Sequence, residues 1–343
     1  MKIILIAFFL GIFQSGISQS HEIGTGEQPQ LSVDTNGIIR LVYGQGHKIF
    51  YSASIDHGVS FSNPTVIGEV NEMHLGMTRG PQLASSADYS IVTAMDKKGN
   101  IHSFQLDHKT KTWSKIKNVN DVEGSAPEGL MSITGDAENN FYAVWLDLRE
   151  DKNNKIAFSA WSKSTSWSKN KIAYKSPDKT VCECCKPSVA AKGTNVSLMF
   201  RNWINGSRDL YLMTSSDGGV KFKNPTKLGN GTWKLTGCPM DGGGILIDKN
   251  NVVHTVWQRE GVVYYDQPGQ PETKIAEGRS CDLFGSEFPF VTWQEASQIF
   301  GQPLNGAKIN IGKGTAVNVA QLNDKMLLAT WEKDGKILFR KFN

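Results

Sequence analysis

Beyond the first eighteen residues, hydrophobic positions alternate with polar ones in short runs and do not recur at helical spacing. The runs are rich in β-branched and aromatic residues. They are punctuated by turn dipeptides such as Asn36-Gly37, Lys98-Gly99 and Asp334-Gly335, which supply the backbone conformations a hairpin needs. This pattern predicts an all-β chain. One unit recurs: a strand, a turn, an apolar strand that usually ends in an aromatic residue, a turn, and a third strand. The apolar second strands are expected at Ile39–Tyr43, Ser90–Met95, Phe141–Trp145, Val196–Phe200, Val252–Trp257, Phe288–Trp293 and Met326–Trp331. Their ends fall roughly 36 to 57 residues apart, the spacing of propeller blades.

The pattern predicts a β-propeller of four-stranded blades, with seven blades favoured. Six stay open if the short unit at 281–314 belongs to a neighbouring blade. The last blade has three strands of its own, at Val317–Leu322, Met326–Trp331 and Lys336–Phe342. Its fourth is expected from the mature N-terminus, because His21-Glu22-Ile23-Gly24-Thr25-Gly26 resembles Ile309-Asn310-Ile311-Gly312-Lys313-Gly314. Pairing the two termini would remove open sheet edges. No linker interrupts the chain, so 19–343 reads as one domain.

The first eighteen residues read differently. Ile3 to Phe13 form an apolar run too short to span a bilayer. With the small and polar residues up to Ser18 it fits a secretory signal peptide cleaved after Ser18. The protein is therefore expected to be secreted or periplasmic. No cysteine precedes Cys182, so no lipid-anchored N-terminus of the lipoprotein kind is expected. Lys and Arg number 37 against 33 Asp and Glu. No basic stripe or second long apolar run occurs, so neither nucleic acid nor a membrane span is expected, and a monomer is.

Two octapeptides carry a family resemblance. Ser54-Ile55-Asp56-His57-Gly58-Val59-Ser60-Phe61 and Ser215-Ser216-Asp217-Gly218-Gly219-Val220-Lys221-Phe222 both match S-x-D-x-G-x-x-[FW], and each continues x-Asn-Pro-Thr. Degenerate copies lie at Asp107–Trp113 and Ser162–Trp167. On these motifs the mature chain resembles the sialidase and BNR-repeat (Asp-box) superfamily over its length. The resemblance implies a sialidase-like propeller in which Ser54, Asp56, Gly58, Phe61, Ser215, Asp217, Gly219 and Phe222 build peripheral turns between third and fourth strands. If the chain is an enzyme, the resemblance implies a glycoside hydrolase of exo-sialidase type. Sialidases clamp a substrate carboxylate with three arginines, because guanidinium and carboxylate pair bidentately. Here no arginine precedes the first octapeptide in Gln28–Asp34, and the nearest R-x-P is Arg79-Gly80-Pro81. No spacing singles out three of Arg201, Arg208, Arg259 and Arg279. Sialidase catalysis is therefore not carried over, and Arg79, Arg201 and Asp241 stand as catalytic candidates.

All five cysteines lie in the segments expected to lead into first strands of adjacent blades. Cys182-Glu183-Cys184-Cys185 precedes blade four, Gly237-Cys238-Pro239-Met240-Asp241-Gly242 blade five, and Arg279-Ser280-Cys281-Asp282 blade six. Such segments surround a propeller's axis on one face. His74 and Met77, in the segment before blade two, could reach the same mouth. The C-x-C-C and C-P-M-D-G-G segments resemble a set of secreted sialidase-like proteins that supply no mechanism. Three readings stay open. One is disulfides such as Cys182–Cys238, suited to an exported protein. Another is a soft-metal site built from Cys182, Cys184, Cys185, Cys238, Cys281, Met240, His74 and Met77, for which copper(I) is expected and zinc is disfavoured by the spacing. The last is a reactive thiol poised by Lys186 or Arg279. Asp241 is the acidic site candidate, because Gly242-Gly243-Gly244 would let a ligand approach the backbone. Asp147, Arg149, Arg208 and Asp209 read as blade-bracing ion pairs, and His254 as a strand histidine. The expected partner at the mouth is a small ligand, a metal or a glycan.

Overall fold

The computed structural model describes residues 19–285, 288–323 and 325–342. The expected signal segment lies outside the described residues. The strands form seven antiparallel sheets, in agreement with the favoured blade number. Blade one is β2–β5 (27–69), blade two β6–β9 (82–116), blade three β10–β14 (131–174) and blade four β15–β18 (188–227). Blade five is β19–β22 (244–277), blade six β23–β26 (279–313), and blade seven β27–β29 (315–342) together with β1 (His21–Thr25). In blade three the outer position is split between β13 (Ser166–Trp167) and β14 (Lys171–Tyr174), both paired with β12 (Lys155–Ser162). The first strands of successive blades touch all the way around, including blade seven against blade one.

The apolar second strands sit where the alternation indicated, within a few residues. They read as nearly continuous hydrophobic runs because each is covered on both faces by neighbouring blades. In β11 (Phe141–Asp147) every residue is buried. The core is accordingly not one mass: the apolar residues form seven clusters, one at each interface between adjacent blades. The aromatic ends of the second strands anchor these interfaces. Trp145 and Trp293 are fully buried, and their indole N–H groups donate to the acid two residues on, Asp147 at 2.9 Å and Glu295 at 2.8 Å. That pairing lets a large ring be buried without stranding its donor. Truncating such a ring to alanine costs about 3–5 kcal/mol.

Alternation of strand direction sorts the connections onto two ends. Segments leading into first strands share one end with the loops between second and third strands. Turns between third and fourth strands lie at the other end. Both octapeptides form turns of this last kind. Asp56 Oδ1 accepts from Ser54 Oγ at 2.7 Å and from the Ser60 N–H at 3.0 Å, while Gly58 N–H donates to Ser54 Oγ at 2.9 Å. Asp217 repeats the arrangement with Ser215, Gly219 and the Lys221 N–H. Gly58 and Gly219 have φ of +75° and +79°, in the left-handed region that glycine occupies without strain. Phe61 packs edge-on against Phe339, and Phe222 against Phe158. These residues therefore lie at the end opposite the cysteine segments. Among the described residues no helix is long and apolar enough to cross a membrane.

Candidate functional site

The C-x-C-C segment runs along the end of β16 (Asn195–Arg201). Val181 bridges to Asn202, and the Cys182 N–H donates to the Arg201 carbonyl at 3.1 Å, so Cys182 is held as an extension of the sheet. Its sulfur lies 3.6 Å from that of Cys184 and 3.5 Å from that of Cys185, which are 4.0 Å from each other. These three residues form the one group of potential metal ligands of the His, Cys, Asp and Glu types among the described residues. Cys182 and Cys185 are buried thiols, and Cys184 is bonded to Cys238 across 54 residues. The bridge suggested by way of example, Cys182–Cys238, is thus corrected to Cys184–Cys238. The Cys182 side chain is turned inward under Arg208, which leaves half-buried Cys184 facing the exposed Cys238 segment.

Arg208, expected as a blade-bracing residue, lies against the Cys182 sulfur, a contact that the sequence reading did not anticipate. Its Nη1 donates to Cys182 Sγ at 3.0 Å and to Glu183 Oε2 at 3.3 Å, and its guanidinium stacks over Trp203 at 4.5 Å. It lies in the loop between second and third strands of blade four, 26 residues from Cys182, so no local spacing connects the two. The available signal was topological, since such loops share an end with the cysteine segments. The hydrogen bond with Cys185 and the positive charge of Arg208 hold Cys182 down to about 7, against the opposing effect of burial. Burial pushes Cys185 up, and the neighbouring Cys182 reinforces this. The two thiols are therefore pushed in opposite directions, Cys182 toward its thiolate and Cys185 toward its thiol. The expected poising by Lys186 or Arg279 is replaced by Arg208.

The triple glycine is explained by protein packing. A Cβ on Gly242 would sit 2.0 Å from the Lys186 carbonyl oxygen, one on Gly243 2.2 Å from that of Val256, and one on Gly244 2.2 Å from Asp282 Oδ1. The segment threads between the C-x-C-C loop, blade five and blade six, and the space expected for a ligand is occupied by the chain itself. Asp241 is buried at its start, and its Oδ2 accepts the Ser280 N–H at 2.7 Å. Burial pushes its carboxyl upward, as it does that of Asp282.

The remaining candidates disperse. Cys281 lies within β23 (Arg279–Phe284) and not in the segment before it. Alternation along that strand turns it, with Leu283, into the apolar cluster between blades five and six, and burial pushes its thiol well up. His74 Nε2 faces the Pro127 carbonyl at 3.0 Å, and its ring packs on Gly129. It is committed to the loop before blade three and does not join the sulfur group. Met77, on the same loop, is 64 % exposed, and Met240, between Cys238 and Asp241, is 40 % exposed. Arg79 Nε donates to the Glu128 carbonyl at 2.7 Å. Arg201 is almost fully buried and donates to the carbonyls of Arg208, Asp241 and Gln258 through four hydrogen bonds. Its guanidinium ties backbone together and is not free to clamp a carboxylate. Arg149 does brace its surroundings, pairing with Asp147 and Asp121, and His254 is a strand histidine bonded to Tyr265 at 2.6 Å.

No family model matches this chain. None of the curated proteins matches it either. Solved structures do. The polysaccharide lyase Uly1 is similar with a TM-score of 0.61 at 9 % identity, over 94 % of this chain and 90 % of that one. The SapL1 lectin, solved with alpha methyl fucoside, gives 0.54 at 13 % identity, over 85 % and 97 %. The Hadza microbial sialidase Hz136 gives 0.51 at 10 % identity, over 94 % and 68 %. At such identities the likeness shows a shared fold, a sialidase-like β-propeller common to lectins, lyases and sialidases.

Proposed function

We propose that this chain is an exported, Asp-box propeller of the sialidase-like kind whose cysteine-bearing end holds a soft monovalent metal, copper(I), on the thiolates of Cys182, Cys184 and Cys185. The observation that carries this reading is three sulfurs within 4.0 Å of one another, one of them accepting a hydrogen bond from Arg208 at 3.0 Å. Thiolate sets select soft cations, copper(I) among them. Structural zinc sites take four ligands, whereas this group supplies three. The guanidinium offsets part of the negative charge that clustered thiolates would otherwise place in a buried site.

The alternative, a glycan-binding protein or exo-sialidase relative with disulfide-stapled cysteines, draws on the neighbours through fold alone, and fold does not determine function. Of the two arginines it would draw on, Arg201 is committed to backbone carbonyls and Arg79 Nε donates to the Glu128 carbonyl.

The test is anaerobic titration of dithiothreitol-reduced protein with copper(I) against a chromophoric chelator. One ion per chain is expected, with binding lost in Cys182→Ser. Absence of binding by the reduced protein would refute the reading. Export is tested by sequencing the N-terminus of protein recovered outside the cytoplasm, which is expected to begin at Gln19.

A further inference from the structure

We propose that the Cys184–Cys238 disulfide is a redox lock on the thiolate site, and that an external dithiol opens it by attacking Cys238. The proposal rests on the soft-metal reading above. Cys184 belongs to both arrangements: it is one of the three clustered sulfurs and one half of the bridge. While bridged, its sulfur is neutral and shares its electrons with Cys238, so the thiolate set is reduced to Cys182 and Cys185. Oxidation and soft-metal binding therefore compete for the same atom.

The two ends of the bridge are not equally accessible. Cys238 is the one exposed cysteine of the five, on a segment with exposed neighbours Thr236, Gly237 and Met240. Cys184 is half-buried, with the Cys182 and Cys185 sulfurs packed 3.6 and 4.0 Å from it. An incoming thiolate meets packed protein at Cys184 and open solvent at Cys238. Thiol–disulfide exchange depends on which sulfur can be reached and on how well the other leaves.

A thiolate of the external dithiol forms a bond to Cys238 Sγ, the Cys184–Cys238 bond breaks, and its electron pair leaves on Cys184 as a thiolate. The second thiol of the dithiol, deprotonated, attacks its own mixed disulfide and releases Cys238 as a thiolate, which takes up a proton. The dithiol ends as a disulfide, and the protein gains two electrons. Internal attack by Cys182 on Cys184 would only move the bridge, because it transfers no net electrons. Unlocking needs the external reductant, and its chemistry is that of a paired-cysteine reductase or a small dithiol.

Silver(I) is the probe of choice, since it is a soft monovalent cation that does not reduce disulfides. Wild-type protein would be titrated anaerobically with silver(I) in a competition assay, as isolated in the bridged form and again after dithiothreitol treatment and removal of the reagent. The bridged form is expected to bind at least about tenfold more weakly, because it loses one thiolate from three and even losing a group behind a ligand costs about 10–100-fold. Cys238→Ser leaves Cys184 reduced and is expected to match the reduced wild type with or without prior reduction. A peptide carrying one reactive cysteine and a serine in place of its second is expected to be trapped on Cys238, mapped by mass spectrometry. Equal silver affinity in bridged and reduced wild type overturns the lock while leaving the metal reading standing. Capture on Cys184 overturns the assigned point of attack. Failure of every form to bind silver overturns the metal reading itself.

Discussion

Replacing Arg208 by methionine removes a positive charge 3.0 Å from the Cys182 sulfur and keeps an unbranched stem to pack on Trp203. An opposite charge in such contact lowers a thiol's pKa by about 1–3 units. The variant's Cys182 is therefore expected to rise from about 7 to at least about 8. At pH 7 the thiolate fraction would fall from about one half to about one tenth. The remaining thiolate becomes more nucleophilic, by about threefold for one unit at a Brønsted slope of about 0.45. The alkylation rate at pH 7 then falls only about twofold, whereas the pH midpoint moves by the whole unit. The informative assay is the pH profile of iodoacetamide labelling, read at Cys182 by peptide mass spectrometry with the Cys184–Cys238 bridge intact. Burial holds Cys185 and Cys281 up, so they contribute little below pH 8. Glu183→Gln is the control of opposite sign, because it removes the carboxylate that shares Arg208 with the sulfur and should move the midpoint down. A midpoint in Arg208→Met within about 0.3 of wild type would refute the assignment of Arg208 as the group that poises the thiolate.

Gly242→Ala forces a methyl group against the Lys186 carbonyl; a loss of about 1–3 kcal/mol in denaturant unfolding is expected, together with weakened metal binding as the C-x-C-C loop shifts. Arg201→Met leaves three buried carbonyls without their donor, and a loss of about 3 kcal/mol or more is expected in the same assay, as a failure of stability. Asp241→Asn removes a buried carboxyl whose pKa is raised by its surroundings. The raised carboxyl contributes stability that is full below its unfolded value near pH 4 and is lost as pH rises through the folded value, so the variant should melt higher than wild type at pH 7 and lose that advantage by about pH 4. Cys281→Val keeps an apolar side chain between blades five and six and is expected to leave silver(I) stoichiometry unchanged.

The fold was legible because each blade repeats one physical problem. A strand covered on both sides must be apolar along its length, and a turn that needs a left-handed backbone calls for glycine. Phe141–Trp145 and the recurring Trp residues carried the first signal, and Gly58 and Gly219 the second. Element boundaries moved by a few residues where a second strand extended into polar positions that another group satisfies. Asp147 belongs to β11 because the Trp145 indole and Arg149 both bond to it. The seventh interface, between blades seven and one, is invisible to local pattern and rests on residues hundreds of positions apart, as in the Leu31 N–H donated to Asn318 Oδ1.

The site was legible only as far as topology could place loops on one end. That reasoning brought Cys182, Cys184, Cys185 and Cys238 together, but loop placement says nothing about where a side chain turns. Cys281 failed on strand register: one residue of phase decides whether a side chain on a first strand meets the axis or the neighbouring blade, and β23 begins before Cys281. His74 is turned to the Pro127 carbonyl of the next loop, and the sulfur group forms without it. The glycines of Gly242-Gly243-Gly244 were read as room for a ligand, whereas close approach of the chain's own backbone satisfies the same signature. Arg208 was expected as a brace, and its contact with Cys182 was invisible for the converse reason. Its role depends on a 3.0 Å contact across 26 residues, made between a loop joining strands within blade four and a segment that precedes it. A thiol's partner need only share its end of the propeller, and the arginine beside Cys182 is found by following loops in space, where residue spacing carries no trace of it.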